Sequence, residues 1–304
     1  MAKIIFKKIS DKHIKSYKKQ GYFAMDLHTH TKYSMDGVTT VQHAVKKAKK
    51  HSFGFAVTDH NQIGGALEAW KYRKQCFIIP GVEATAKEGT HTIFYFHKAS
   101  DLKAFFNKEI KPFKHKNPYY CNRSTSELMD IGRNHYNCYV CSPHPFAPGK
   151  VGVQSIRITK KMIKNIQLVE ALNGYNRRKN NLLGRNWADN INKGITAGTD
   201  AHLLWELGRT LTFAPGTTIS EFFEHLLKKN AILMGHEENL LEEGLMAIEK
   251  EYLIVERAER KHRTLALLKN QFGRPIHDLE KKFLKHFHKE KKHSKLHQHY
   301  RMHH

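Results

Sequence analysis

His28 and His30 stand one residue apart in "DLHTHTKYSMDG" (26–37), and Asp36 follows six residues after the second histidine. Residues i and i+2 of a strand point the same way, so both imidazoles can reach one ion. "GTDAH" repeats the arrangement with Asp200 and His202. Between them lie Asp59 and His60 in "VTDHN", Glu83 in "GVE", His91 at the head of "HTIFYFH", and His144 in "SPHP". A single polar pair of this kind is an ordinary strand end. Several separate segments with the same ligand chemistry point instead to one shared metal pocket. Neutral imidazole combined with carboxylate suits Zn, Mn or Fe(II) rather than Mg or Ca.

The elements that must position these residues are legible as alternating runs. Strands are expected over 22–28, 53–60, 76–83, 91–97, 138–144, 166–172 and 194–202. Helices are expected over 40–51, 64–74, 125–135 and 178–193. In the first of these Val41, Ala44, Val45 and Ala48 share a face behind a Thr39 or Thr40 cap. Ser124 with Glu127 forms a capping box for the helix 125–135. Repeated strand–helix units favour a parallel sheet or barrel, whose strands converge at their carboxyl ends on a functional face. From about residue 217 the strands are expected to stop, and amphipathic helices to follow.

Taken in order, "DLHTHTKYSMDG", "VTDHN", "GVE", His91, "SPHP" and "GTDAH" resemble the PHP (polymerase and histidinol phosphatase) superfamily of metal-dependent phosphoesterases, over about residues 22–215. The resemblance implies a distorted (β/α)7 TIM-like barrel with a metal cluster of up to three ions, trinuclear when full; two to three Zn, Mn or Fe ions are expected. It implies that His28, His30, Glu83 and Asp200 hold one ion. Glu83, His91 and His144 hold a second, and Asp36, His60 and His202 a third. Catalysis then falls to His28, His30, Glu83, Asp200 and His202, with a metal-bridging hydroxide attacking phosphorus. Asp26 and Asp59 are expected to orient imidazoles. The first loop is one residue longer than the compact Ser-Asp-Gly often seen in the family, because Met35 intervenes, so Asp36 is the ligand whose placement matters most. His97 is the rival of His91.

Phosphate also calls for cations. Arg177 and Arg178 in "NGYNRRK" follow the sixth strand and face the same end, with Lys150 and Arg209 behind them. The alternative is that these are ordinary surface cations in a chain with 52 Lys and Arg.

The chain has 304 residues and a formal net charge of +24, unevenly placed: +6 over residues 1–21, +7 over 281–304, and +11 between. This basicity favours anionic partners, a nucleotide, nucleoside bisphosphate or short oligonucleotide as substrate, and polyanion contact through the termini. A phosphomonoesterase of the histidinol-phosphate or phosphotyrosine type is the second enzyme reading. A nucleic-acid- or membrane-binding module with a structural metal site is the reading of another class. No run of 18 apolar residues is present, so no membrane span is expected. The N-terminus has no apolar stretch with a small-residue cleavage site. Four cysteines imply no disulfide framework, and cytoplasmic localisation is expected. Cys138 and Cys141 are read as a buried structural pair. The expected organisation is a basic segment (1–21), a phosphoesterase barrel (22–235), a helical extension (236–292) and a disordered His/Lys-rich tail (293–304).

Overall fold

The structure, a computed structural model, describes residues 2–236. The helical extension and tail expected over 236–304 lie outside the described residues, His236 excepted. No helix among the described residues is long and apolar enough to cross a membrane.

Ten strands form one sheet: β1 (Lys3–Phe6), β2 (Tyr22–Asp26), β3 (Gly54–Val57), β4 (Ile78–Thr85), β5 (His91–Phe96), β6 (Cys138–Ser142), β7 (Leu168–Asn173), β8 (Gly194–Gly198), β9 (Thr210–Pro215) and β10 (Ile232–Gly235). Their order is β1-β10-β9-β2-β3-β4-β5-β6-β7-β8. The helices are α1 (Asp11–Lys19), α2 (Val41–His51), α3 (Gly64–Trp70), α4 (Ala99–Phe105), α5 (Thr125–His135), α6 (Lys160–Asn165), α7 (Arg178–Asn190) and α8 (Ile219–Leu227).

Local signals explain several of these boundaries. Thr40 caps α2, accepting from His43 N at 3.3 Å, and Val41, Ala44, Val45 and Ala48 are its buried face. The α5 capping box is complete: Ser124 N donates to Glu127 Oε2 at 2.7 Å, and Glu127 N to Ser124 Oγ at 3.2 Å. Both caps satisfy amides that the first helical turn leaves unpaired.

The sheet is mixed, not parallel. β4/β5, β5/β6, β2/β9 and β9/β10 are antiparallel. The turn after β4 is the local reason for one reversal. Ala86 N donates to Thr90 O at 2.9 Å, and Gly89 supplies φ 93, so the chain doubles back without a crossover helix. The pairings make β5 and β9 the reversed strands; the others run one way. His91 opens β5, so its strand start lies with the carboxyl ends of its neighbours.

Three strands escape the sequence patterns. β1 lies inside the basic segment, β9 in "TLTFAP", and β10 beyond the point where strands were expected to stop. "KIIF" and "ILMG" are four-residue runs whose only signal is the partner: β1 pairs with β10, and β10 with β9.

The sheet curls until β8 meets β2. Leu27 N donates to Ala197 O at 3.4 Å, Asp200 N to His28 O at 2.7 Å, and His30 N to Ala201 O at 2.8 Å. Below, Thr212 Oγ1 accepts from Ala197 N at 2.7 Å and donates to Ala197 O at 2.9 Å. Phe55, Phe94, Phe96, Phe105, Phe213, Phe222 and Phe223 are buried in the core this encloses and in its helical cover. Burial at this scale, about 1.5–3 kcal/mol for each such side chain, is what offsets the entropy of ordering the chain.

Candidate metal centre

Glu83 is the hub. Its buried carboxylate lies beside five imidazoles: His91 Nδ1 at 3.0 Å, His28 Nε2, His60 Nδ1 and His144 Nε2 at 3.2 Å, and His30 Nε2 at 3.4 Å. Asp200 Oδ1 stands 3.1 Å from His30 Nε2 and 3.4 Å from His28 Nε2. Asp36 Oδ2 stands 3.1 Å from His202 Nε2 and 3.5 Å from His60 Nε2. All nine side chains expected to bind metal are thus gathered at one end of the sheet. Their donor atoms fall into four close groups, His28/His30/Asp200, His28/Glu83/His144, His60/Glu83/His91 and His30/Asp36/His60/His202. The extra loop residue Met35 does not displace Asp36. Ser34 Oγ donates to Asp36 Oδ1 at 2.7 Å and fixes the carboxylate. His97 instead meets Ser220 Oγ at 3.2 Å.

The backbone is bent to aim these groups. Asp200 (φ 61), His144 (φ 24) and Asn61 (φ 45) are non-glycine residues in left-handed conformations at the ends of β8, β6 and β3. Such conformations cost of order 1–3 kcal/mol each and cluster at functional sites.

The donor set fits divalent transition ions. His28 Nε2 and His30 Nε2 face each other at 3.2 Å, beside Asp200. Glu170 Oε1, 3.1 Å from His28 Nδ1, fixes the proton there and leaves the Nε2 lone pair pointing into the group. His91 is buried: its Nδ1 lies 3.0 Å from Glu83 Oε1, and its Nε2 makes no hydrogen bond. Imidazole nitrogens set against a shared carboxylate are the donor arrangement that a divalent cation completes.

Electrostatics agree. Burial pushes His60 down to about 4 and lowers His91, so both imidazoles are neutral at pH 7. Burial also pulls on His30, but hydrogen bonds to Asp200 and Glu83 carry it up to about 10. Burial opposes charge on Glu83, yet the His28 charge and a hydrogen bond to His144 hold its carboxyl well below the usual range; His28 and His30 do the same for Asp200.

Asp26 and Asp59 bond to backbone amides and threonines rather than to imidazole nitrogens, Asp26 accepting from His28 N at 3.4 Å. Asp26 accepts from Thr199 N at 2.8 Å, Thr199 Oγ1 at 2.6 Å and Gly208 N at 2.8 Å, tying β2 to the segment between β8 and β9. Asp59 accepts from Thr31 N at 2.6 Å and Thr31 Oγ1 at 2.8 Å, pinning the first loop. Burial pushes both carboxyls up to about 6, which leaves them ionised acceptors at neutral pH.

Glu170, which no motif marked in the sequence, is the group that does orient a ring. Glu170 Oε2 also accepts from His144 N at 2.8 Å and Asn173 Nδ2 at 2.9 Å. Its signal was a lone carboxylate inside the apolar run "LVEALN", which burial demands be paired. Glu206 accepts from His202 N at 2.7 Å, Leu203 N at 2.9 Å and Tyr175 OH at 2.7 Å, and so sets the His202 backbone. Tyr119 places its hydroxyl 3.2 Å from His60 Nε2.

The expected phosphate cations are placed as follows. Arg177 is exposed and forms the N-cap of α7. The Arg178 guanidinium lies 4.6 Å over the Phe6 ring, and that of Arg209 lies 4.3 Å over the Trp205 ring. Lys150 is exposed, next to Val151, whose carbonyl accepts from His91 N at 2.9 Å. Cys138 and Cys141 are buried free thiols, both pushed up to about 12 by burial.

A family model described as the PHP domain matches residues 26–256. No curated protein matches significantly. Among solved structures the chain is similar to the lesion-specific endonuclease PfuEndoQ from Pyrococcus furiosus, with TM-score 0.58 and 16% identity over 70% of this chain and 57% of that one. It is similar to endonuclease Q in complex with a 27-mer duplex carrying an abasic lesion, with TM-score 0.56 and 17% identity over 71% and 60%. It is also similar to PsfC from Pseudomonas syringae PB-5123, with TM-score 0.53 and 14% identity over 77% and 98%. At these identities the likeness is one of fold. The match spans about three fifths of the endonuclease Q chains.

Proposed function

The chain belongs to the PHP domain family, and on that premise we propose that it hydrolyses a phosphate ester of a nucleotide, nucleoside bisphosphate or short oligonucleotide. It is an enzyme, a metal-dependent hydrolase of phosphoester bonds. The observation that carries the reading is the convergence of six imidazoles and three carboxylates on one end of the sheet, with Glu83 at their centre.

In this reading the curled sheet is a distorted (β/α)7 barrel with added strands. His28, His30, Glu83 and Asp200 hold one ion; Glu83, His91 and His144 a second; Asp36, His60 and His202 a third. Zn, Mn or Fe matches the ligand chemistry. Bound there, divalent ions activate water at neutral pH and neutralise charge on the phosphoryl group. The protein supplies the rest. Glu170 keeps His28 in the ligating tautomer, Ser34 steadies Asp36, and Glu206 steadies His202. Lys150, Arg177, Arg178 and Arg209 are the cations for the substrate's remaining phosphate oxygens. A multiply charged substrate suits the net +24 of the chain, and one solved relative by fold holds duplex DNA. The four buried, free thiols suit a reducing compartment such as the cytoplasm.

The test is metal analysis with a substrate panel: monoester, diester, nucleoside bisphosphate and 5′-phosphorylated RNA, each with Mn or Zn. Two to three ions per chain and hydrolysis of at least one ester are expected, both abolished in the double variant His28→Ala/His30→Ala. A folded, metal-loaded protein that cleaves none of the panel refutes the reading. Preference for the monoester alone would point to a phosphomonoesterase.

A further inference from the structure

The segment that follows the turn Lys111–Phe113 is tied to the site at several points. Lys114 and Cys121 form an isolated bridge, and Cys121 N donates to Thr85 O, at the end of β4, at 2.8 Å. Arg123 Nη2 meets Glu109 Oε2 at 2.7 Å, and Arg123 Nε donates to Glu109 O at 3.0 Å. Asn61, buried and left-handed beside His60, completes the attachment. Its Nδ2 donates to Tyr119 O at 2.7 Å and to Thr85 O at 3.3 Å, and its Oδ1 accepts from Thr85 N at 3.2 Å. One amide side chain therefore joins the His60 segment, the end of β4 and the Tyr119 backbone.

That attachment delivers a phenol to the cluster. The Tyr119 and His60 rings have centroids 4.6 Å apart, and the hydroxyl is 3.2 Å from His60 Nε2. His60 Nδ1 faces two acceptors, Glu83 Oε2 at 3.2 Å and Thr85 Oγ1 at 3.3 Å, so its proton belongs there. Nε2 is then the lone-pair side, and the Tyr119 O–H is the donor to it. The same lone pair points toward Asp36 and His202, the direction of a metal ligand. Once it is engaged by a divalent ion, the phenolic proton needs another acceptor in a confined site. A phosphoryl oxygen bound against that ion is the acceptor the reaction brings.

We propose that Tyr119 contacts the substrate, donating a hydrogen bond from its hydroxyl to a non-bridging phosphoryl oxygen, with Asn61 as the residue that positions it. This rests on the phosphoesterase reading above.

The experiment uses the full chain loaded with Zn or Mn, with inorganic phosphate as probe in calorimetry and a phosphate ester in kinetics. Tyr119→Phe removes only the hydroxyl. It is expected to keep the wild-type metal content, to bind phosphate ~10-fold or more weakly, and to lose a similar factor in kcat/KM. Asn61→Gly, which accommodates the left-handed backbone, is expected to weaken phosphate binding too. The double variant should be no weaker than Tyr119→Phe alone, because Asn61 acts through the phenol. A phosphate affinity of Tyr119→Phe within about two-fold of wild type overturns the inference. So does loss of metal from that variant with unchanged phosphate affinity once metal is saturating, since the hydroxyl would then serve His60 alone. Additive losses in the double variant overturn the role of Asn61. A wild-type protein that binds neither metal nor phosphate overturns the phosphoesterase reading with it, whereas wild-type binding matched by the variant overturns this inference alone.

Discussion

Replacing Glu170 by Gln is expected to weaken metal binding ~10–100-fold without touching a ligand. Three donors converge on this carboxylate: His28 Nδ1 at 3.1 Å, His144 N at 2.8 Å and Asn173 Nδ2 at 2.9 Å. It is 2% exposed, so water does not replace what is lost. Glutamine has the same size but only one acceptor oxygen and a donor amide. If that oxygen serves His144 N and Asn173, the amide faces His28 Nδ1 and drives the imidazole proton to Nε2. That nitrogen is the one 3.2 Å from Glu83 and 3.4 Å from Asp200, and once protonated it has no lone pair for a metal. If the amide is flipped, two donors are left unpaired, at about 1–3 kcal/mol each. The loss in affinity corresponds to about 1.4–2.7 kcal/mol. Competition of the metal-free protein against a chromophoric chelator for Zn measures it, with circular dichroism to show that the fold survives. A dissociation constant within about two-fold of wild type, at unchanged stoichiometry, would show that the tautomer of His28 is not set by Glu170.

Proton linkage gives a second prediction. His30 is carried up to about 10 from 6.5 in the metal-free protein, so it is protonated at neutral pH and must lose that proton to ligate. Metal uptake should release protons, seen as calorimetric heats that change with the ionisation enthalpy of the buffer, and buffer-independent heats would refute it. By the same shift, the stability His30 contributes to the metal-free protein is fully present below about 6.5 and lost as the pH rises through about 10. The metal-free Tm should therefore fall across that window, and the metal-loaded Tm should not. Gly198→Ala is a geometric test. An added Cβ would lie 2.4 Å from His28 Cβ and 2.6 Å from His28 N, so β8 and β2 must part. A loss of about 1–3 kcal/mol on denaturant unfolding and a reduced metal content are expected, and an unaffected protein would deny the close approach.

The side chains that gather around Glu83 were legible because chemistry was written where apolar sequence stops. His28, Asp59-His60, Glu83, His144 and Asp200 each close a strand pattern, and parallel strands bring such ends together. His91 was found at the head of a strand, and its reversed direction in the sheet explains why a head belongs with the tails. Asp59 precedes His60, and neighbours in a strand point to opposite faces; Asp26 stands at i−2 of His28, but its oxygens are taken by Thr199, Gly208 and the His28 amide. Tyr119 lay beyond reach, since a loop tyrosine carries no periodicity and its position depends on Asn61 and Arg123. β1 and β10 share that difficulty, four residues each being too few to show a period before their partner is known.

The hydrogen bonds that bring β8 against β2 use the backbone of the site itself: Asp200 N to His28 O, and His30 N to Ala201 O. Any ion held by His28, His30 and Asp200 is therefore also a rivet through the join of the curled sheet. Mechanical integrity and chemistry share one stretch of chain. Changes selected for turnover at this corner must also keep the wall standing, and changes that loosen the wall reach the reaction without altering a single ligand.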